Sequence, residues 1–565
     1  MMLSSLLVIA AIGFALIVLA VVFAWRVRPA VVHDHASHRP RVVIIGGGFA
    51  GVYTAQYLEK LAGDRIEIVL ISPRNHFVFH PMLPEVISGS IGIMDVVSPI
   101  RRMLPRTELH VRHVEGVDFT ARTVQTSTGF HPHAHEIAFD HLVLAMGSVT
   151  DFRGLRGLPE HAFPFKDLGD ALRLRNHVIR VLEEAAVEHH DPALRRQLLT
   201  FVVAGGGFSG VEVVAELNDF VRAVARHFRG IDPAELRVVL VHSQDRILPE
   251  MDPRLATFAQ RLLQKRGVEI LLDTRLAAAT GQAAVLANGT TLPTQTLVST
   301  VPSSPHPLVD ALPLAKTKQG RLEVEATLAV PGMPRVWALG DCARVPAPDG
   351  TVAPPTAQHA IRQARTLAEN IVATLDGRPT RPFAFQGLGK MGALGRHSAV
   401  AEVFGIRLSG FVAWFLWRSV YLMKLPGWGR RLKVAVAWTL DLILPPELVQ
   451  LEAQSSAGIV REHFEPGQEV FEQGDVGDRV YVVLSGAAEV VRDGQRVAQL
   501  ARGDYFGEMA VLGGAQRNAT VRCLEPMDVL ALPQREFAML SGSIPELRQT
   551  FEAKADQRAR SFDPP

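Results

Sequence analysis

Apolar positions along this chain fall into four kinds of run. Short β-branched runs, "RVVII" (41–45) and "TFVVA" (200–204), each end at a glycine cluster. Behind each cluster the spacing turns helical, in "VYTAQYLEKLA" and "VEVVAELNDFVRAVARHF". These alternations predict two strand–turn–helix units, followed by second strands in "IEIVLIS" (66–72) and "LRVVLVH" (236–242). A different run, "LLVIAAIGFALIVLAVVFAW" (6–25), has no charged side chain over 20 residues and predicts a membrane-spanning helix. Arg26, Arg28, Arg39 and Arg41 follow it and no basic residue precedes it. The positive-inside rule then places the N-terminus outside and the rest of the chain in the cytoplasm, and the missing basic leader argues against a cleaved signal. A third stretch, 404–445, interleaves Trp414, Trp417, Trp428 and Trp438 with Arg407, Arg418, Lys424, Arg430, Arg431 and Lys433. It predicts helices lying in a bilayer interface. The fourth kind begins at Val460, where short alternating strands separated by Gly, Asp and Pro predict a small β-roll.

The glycine clusters carry the chemistry. Gly46, Gly48 and Gly51 fit G-x-G-x-x-G around Phe49 and Ala50, and Gly205, Gly207 and Gly210 repeat it around Phe208 and Ser209. Glycine allows the tight turn and lets a pyrophosphate approach the backbone at a helix N-terminus. Two dinucleotide sites in one chain imply that electrons pass between them. "PRVWALGDCARVP" (334–346) resembles the segment that closes the flavin site in two-dinucleotide flavoproteins, where the aspartate, here Asp341, binds the ribityl chain. By that resemblance the first cluster and Asp341 hold FAD and the second holds a nicotinamide cofactor.

Composition narrows the field. At 565 residues several domains are expected, and a net charge of +2 gives no electrostatic case for nucleic acid. Cys342 and Cys523 are the only cysteines, so redox chemistry through a Cys pair is not expected. The histidines of "VHDHASH" (His33, His35, His38) read as a solvated tether, and no metal site is expected.

From about residue 40 to 445 the chain resembles the type II NADH dehydrogenases, single-subunit NADH:quinone oxidoreductases. The resemblance rests on both glycine motifs, "NHFVFHPMLPEVISG" (75–89), "GDCA" (340–343), "PPTAQHAIRQA" (354–364) and "LGKMGALGRHSAVAEVFGIRLSGFVAW" (388–414). It implies an α/β fold with two Rossmann-like domains. The FAD domain would span 41–162 and 300–385, the NAD(P)H domain 163–299 and the membrane-associated helices 386–450. A membrane anchor (1–28) and linker (29–40) would precede them. The resemblance further implies non-covalent FAD, oxidation of NADH on the cytoplasmic face of the cell (inner) membrane, and quinone reduction without proton pumping; a homodimer is left open. Glu212 matches a glutamate near the nicotinamide, and Ala357 and Gln358 match a pair beside the isoalloxazine and quinone. Gln363 matches one of two consecutive glutamines at the quinone pocket, so by the resemblance Glu212, Gln358, Arg362 and Gln363 are the expected catalytic residues.

Three positions depart from the family pattern. Ser72 and His242 end the second strands where an acid usually binds the adenosine ribose, leaving FAD to lean on Arg74 or the backbone. Without an acid at 242, and with Ser243 and Arg246 nearby, NADPH stays open as an alternative to NADH, which the resemblance favours. Arg362 replaces the other glutamine, where it would bind a quinone carbonyl or block the pocket. "VSTVPSSP" (298–305) differs too, which opens the alternative of a non-quinone acceptor.

Residues 456–545, followed by a tail at 546–565, resemble a cyclic-nucleotide-binding domain through "FGEMAVLGGAQRNATV" (506–521). The resemblance assigns the cyclic phosphate to Gly507 and Arg517 and the ribose hydroxyl to Glu508. Asn518, before Ala519, fits neither a cyclic AMP nor a cyclic GMP preference. Placed behind the membrane helices, such a module is expected to gate acceptor access. A sensor in which flavin and module report redox state is the remaining alternative.

Overall fold

The computed structural model describes residues 39–127, 135–152, 154–300, 304–441, 449–450, 460–475, 477, 479–513, 516–534 and 537. The proposed anchor, the linker histidines and the C-terminal tail lie outside the described residues. Among the described residues, no helix is long and apolar enough to cross a membrane.

The chain forms two compact units. One comprises the segments to Phe77, Val97–Ser148 and Pro305–Gly387; the other comprises Val78–Val96, Val149–Ser304 and the segment from Leu388 onward. The first is built on a five-stranded parallel sheet ordered Val336–Ala338, His141–Leu144, Arg41–Ile45, Glu67–Ser72, Glu108–Val111. Val42, Val43 and Ile44 are fully buried, because a parallel strand covered on both faces has no polar side to present. The helices Phe49–Leu61 and Ala357–Leu375 pack along each other.

The second unit repeats the plan, with strands ordered Ala162–Pro164, Thr296–Ser299, Thr200–Ala204, Arg237–Val241, Val268–Leu271. In both sheets the glycine-preceding strand is central, with its successor on one side and a later strand on the other. That reversal of strand order is where open α/β sheets bind ligands.

The second unit also contains a three-stranded antiparallel sheet (Gly389–Ala393, Ala399–Val403, Ile406–Ser409) leading into the helices Gly410–Lys424 and Trp428–Asp441. Its C-terminal part is a β-roll of two four-stranded sheets, with Tyr481, Phe506, Val521 and Met527 in its core.

The helices at 410–441 correct part of the sequence reading. Only Trp428 of their four tryptophans is exposed; Trp414, Trp417 and Trp438 are buried. Trp414 and Trp438 flank Arg418, which is also buried and whose guanidinium lies 4.3 Å and 4.6 Å from their ring centroids. Arg418 pairs with Glu85 at 3.3 Å, and the Trp438 indole N–H donates to the same carboxylate at 2.9 Å. The apolar surface of these helices is instead Phe411, Val412, Phe415, Met423, Trp428 and Leu432, each more than half exposed.

Candidate functional site: two dinucleotide turns and a nucleotide cassette

The first glycine turn is shaped by three different needs. Gly46 has φ +120°, and a Cβ there would lie 2.2 Å from the Ala145 carbonyl oxygen. A Cβ on Gly51 would lie 1.9 Å from the Gly46 carbonyl, so Gly51 lets the helix seat against the turn. Around Gly48, in contrast, a Cβ would meet nothing within 4 Å. That open position sits at the N-cap of Phe49–Leu61, which no side chain caps. Space and helix-end N–H groups together fit a pyrophosphate.

Across the same sheet, Gly340 (φ +75°) opens the short helical turn Gly340–Cys342, and a Cβ there would approach the Ala50 methyl at 3.1 Å. Asp341 accepts from the Ser148 hydroxyl at 2.9 Å. Gln363 is buried, and its side-chain oxygen accepts from the Gly340 N–H at 2.9 Å. This bond makes Gln363 the brace of the Gly340–Asp341 turn. Ala357 and Gln358 begin the next helix, and the Arg362 guanidinium stacks 5.0 Å from the Phe385 ring centroid. Ser72 is buried directly beneath the glycine turn: a Cβ on Gly47 would fall 2.4 Å from its hydroxyl, which also accepts from the Arg74 N–H at 3.2 Å. A short hydroxyl thus packs against the turn, leaving no room for a side chain at Gly47. Burial pushes the Cys342 thiol up to about 11, leaving it a packed, unreactive residue.

The second turn repeats these demands. A Cβ on Gly210 would fall 1.7 Å from the Gly205 carbonyl, whereas one on Gly207 would meet only Glu250, at 3.9 Å. Gly207 N-caps Phe208–Ala225, again without a side-chain cap. His242 is buried and fastened to the turn, its Nδ1 accepting from the Gly206 N–H at 3.0 Å. Burial holds its pKa down, so the neutral ring has its proton on Nε2. Leu248 N–H donates to the Gly206 carbonyl at 2.7 Å, so both backbone polar groups of Gly206 are engaged.

One turn along the helix from Phe208 and Ser209, Glu212 accepts from the Ala393 N–H at 3.0 Å. Burial raises its pKa to about 8, which keeps the carboxyl protonated at neutral pH. Glu216, one further turn on, is buried and likewise raised to about 8. Sequence reasoning missed Glu216 and Glu85. The available signal was an acid on the buried face of an apolar helix, four residues after Glu212.

In the β-roll, Glu508 and Arg517 are both buried, and Asn518 is exposed. The Arg517 guanidinium donates to the carbonyls of Gly507 (2.8 Å) and Arg479 (2.9 Å) and stacks 4.1 Å from the Phe471 ring centroid. Gly507 has φ +85°, a conformation that favours glycine. Ala519 lies just before the strand Thr520–Cys523.

Paired parallel sheets with two glycine turns and an Asp-bearing closing turn define a two-dinucleotide flavoprotein oxidoreductase. Comparison agrees: residues 40–364 match the pyridine nucleotide-disulphide oxidoreductase family, and residues 461–542 match the cyclic nucleotide-binding domain. The chain is 30% identical to the type II NADH:quinone oxidoreductase Ndh of Mycobacterium tuberculosis over 420 residues, 72% of this chain and 88% of that protein. It is 33% identical to demethylphylloquinone reductase NdbB of Synechocystis over 408 residues, 71% of this chain and 96% of that one. In fold it resembles NDH2 from Plasmodium falciparum in complex with NADH, with a TM-score of 0.67 at 18% identity, covering 73% of this chain and all of that one. The chain belongs to the type II NADH dehydrogenase family of FAD-dependent oxidoreductases.

Proposed function

We propose that the protein is a membrane-associated NADH:quinone oxidoreductase that does not pump protons. The observation that carries this reading is the pairing of two open, uncapped glycine turns with the braced Asp341 turn. Relatives named for NADH and quinone support the same donor and acceptor. Bound FAD would supply an acceptor for the hydride of the reduced nicotinamide and a carrier for its two electrons. The protein's own task is positioning. Gly48 and Gly207 leave room for the two pyrophosphates, and Asp341, set by Gln363 and Ser148, offers a carboxylate to the ribityl hydroxyls. Glu212 offers a neutral acid beside the nicotinamide turn, and Gln358 and Arg362 are the candidate polar groups for the quinone.

NADPH stands beside NADH as a second donor. An aspartate or glutamate at 242 would accept from the ribose hydroxyls and repel a 2′-phosphate. His242 has neither property, because its Nδ1 is committed to Gly206 and its ring is neutral.

Membrane attachment is part of the same reading. The apolar run at 6–25 anchors the chain, the basic residues after it keep the catalytic units cytoplasmic, and the exposed Phe411, Phe415 and Trp428 enter the lipid interface. The C-terminal module takes a cyclic nucleotide through Gly507, Glu508 and Arg517.

An anaerobic titration of the detergent-purified protein tests the electron path. NADH, and NADPH in parallel, should bleach the flavin absorbance, and a short-chain quinone should restore it. Bleaching without recovery would replace quinone by another acceptor. Flavin-loaded protein that bleached with neither cofactor would favour the sensor alternative.

A further inference from the structure

The β-roll is fastened to the nicotinamide half of the molecule through its first strand, Val460–Phe464. Within that strand Arg461 pairs with Glu160 at 3.2 Å, and the Glu160 side chain is only 7% exposed. His463 N–H donates to His161 Nε2 at 3.1 Å. The fit is tight: a Cβ on Gly157 would lie 3.0 Å from the His463 ring and 1.8 Å from the Ala279 carbonyl.

From this seam, contacts run in both directions. Outward, Glu462 on the same strand pairs with the Arg479 side chain, and the Arg479 carbonyl accepts from the Arg517 guanidinium. Inward, His161 ends the short helix Leu158–His161, directly before the edge strand Ala162–Pro164. That strand pairs with Thr296–Ser299, and Thr300 follows. The Thr300 hydroxyl donates to the Ala204 carbonyl at 2.9 Å, and a Cβ on Gly205 or Gly210 would lie only 2.5 or 2.6 Å from it. The cassette arginine and the dinucleotide turn are thus joined by one continuous series of bonded residues.

We propose that this series couples the two sites: occupancy of the cassette by a cyclic nucleotide changes the affinity of the second glycine turn for its dinucleotide. The proposal rests on reading the β-roll as a nucleotide binder and the second turn as the nicotinamide site. Its physical basis is competition for Arg517. A cyclic phosphate is a better partner for a guanidinium than two carbonyls, so binding draws Arg517 from the Arg479 carbonyl and disturbs the residue that grips the docking strand. The route leads to the nicotinamide half, so the regulated quantity is donor affinity rather than acceptor access at the helices of 410–441. Linkage requires the effect to be reciprocal.

Calorimetric titration of the full-length, oxidised protein with NAD⁺, with and without saturating cyclic AMP or cyclic GMP, reads the coupling directly. The expected result is a change in NAD⁺ affinity of about fivefold or more, and an equal change in cyclic-nucleotide affinity when NAD⁺ is saturating. Glu160→Gln should shrink both changes while the cyclic nucleotide still binds. Hydrogen exchange at 158–164, altered by cyclic nucleotide in the unmodified protein, checks the same route without a substitution. A cyclic nucleotide that binds and leaves NAD⁺ affinity unchanged overturns the coupling and spares the cassette. Full coupling in Glu160→Gln, with exchange at 158–164 unmoved, overturns the route. If neither cyclic nucleotide binds, the cassette reading falls and the coupling falls with it.

Discussion

Glycines that share one motif do different jobs, and substitution separates them. Gly207 has an ordinary extended backbone and nearly empty surroundings, so Gly207→Val should leave the melting temperature close to that of the parent. Its side chain would occupy the pyrophosphate's place, and flavin reduction by NADH should fall by about two orders of magnitude or more, the ~3 kcal/mol scale of a lost charged contact. Gly210→Ala should do the opposite first: the methyl strikes the Gly205 carbonyl, and the protein melts several degrees lower. Stopped-flow bleaching beside calorimetry distinguishes the two, and normal bleaching in Gly207→Val would misassign the second turn. Glu212 gives a further residue-scale expectation. Its carboxyl is protonated below about pH 8, so Glu212→Gln, which mimics the neutral acid, should bleach at near-parental rate at pH 7. Above pH 8 the parent ionises and its rate should change, while the glutamine variant stays flat. Parallel pH profiles for both proteins would reject a Glu212 that titrates near pH 8.

At the scale of elements, sequence pattern and structure agree where local chemistry decides and part where tertiary contacts decide. Both strand–glycine–helix units were legible, because a β-branched run, a glycine turn and a helical period are all local signals. The role of Gln363 was not legible. Its residue type suited a quinone ligand, and only folding brings it 2.9 Å from the Gly340 N–H. Gln363→Leu should therefore cost ~1–3 kcal/mol of stability through the unpaired N–H and reduce the FAD retained on purification. A raised quinone KM with full FAD content would restore its catalytic reading. The tryptophans misled for a related reason: Trp and Arg together signal a lipid interface, yet Trp417 is buried, and Trp414 and Trp438 flank a buried ion pair of Arg418 with Glu85, a residue more than three hundred positions earlier in the chain. The lipid-facing prediction passes to Phe411, Phe415 and Trp428. In a chain shortened to begin at Arg39, so that the anchor does not dominate binding, replacing all three by serine should weaken binding to anionic vesicles severalfold and leave the melting temperature nearly unchanged, since each is more than half exposed. Undiminished vesicle binding by that variant would remove these helices from the membrane surface.

Across the whole molecule, each unit carries a neutral histidine shielded from solvent, His141 buried and His177 half-buried, and acid should act on both. His141 accepts from the Trp337 indole N–H through Nδ1 in the first unit. His177 in the second lies 3.0 Å from the Gln295 carbonyl, with Nδ1 near the Arg180 guanidinium. Burial comes first among the causes that hold both near pKa 4 instead of 6.5. The sign follows from proton binding: below pH 6.5 the unfolded chain takes up protons that the folded chain refuses, so acid favours unfolding. The stabilisation from each histidine is complete above pH 6.5 and drains away as pH falls toward 4. It is on the order of 3 kcal/mol per histidine, from ~1.4 kcal/mol for each pKa unit. Chemical denaturation at pH 7.5, 6, 5 and 4.5 should therefore show stability falling steadily across this window. His177→Gln keeps a donor for the Gln295 carbonyl and has no proton to gain, so its profile should be shallower than the parent's by up to that amount. A variant profile parallel to the parent's would mean that His177 already titrates in the folded protein. The acid sensitivity would then come from the other histidines whose pKa burial lowers, His141, His161, His242, His306 and His359, or from the carboxylates.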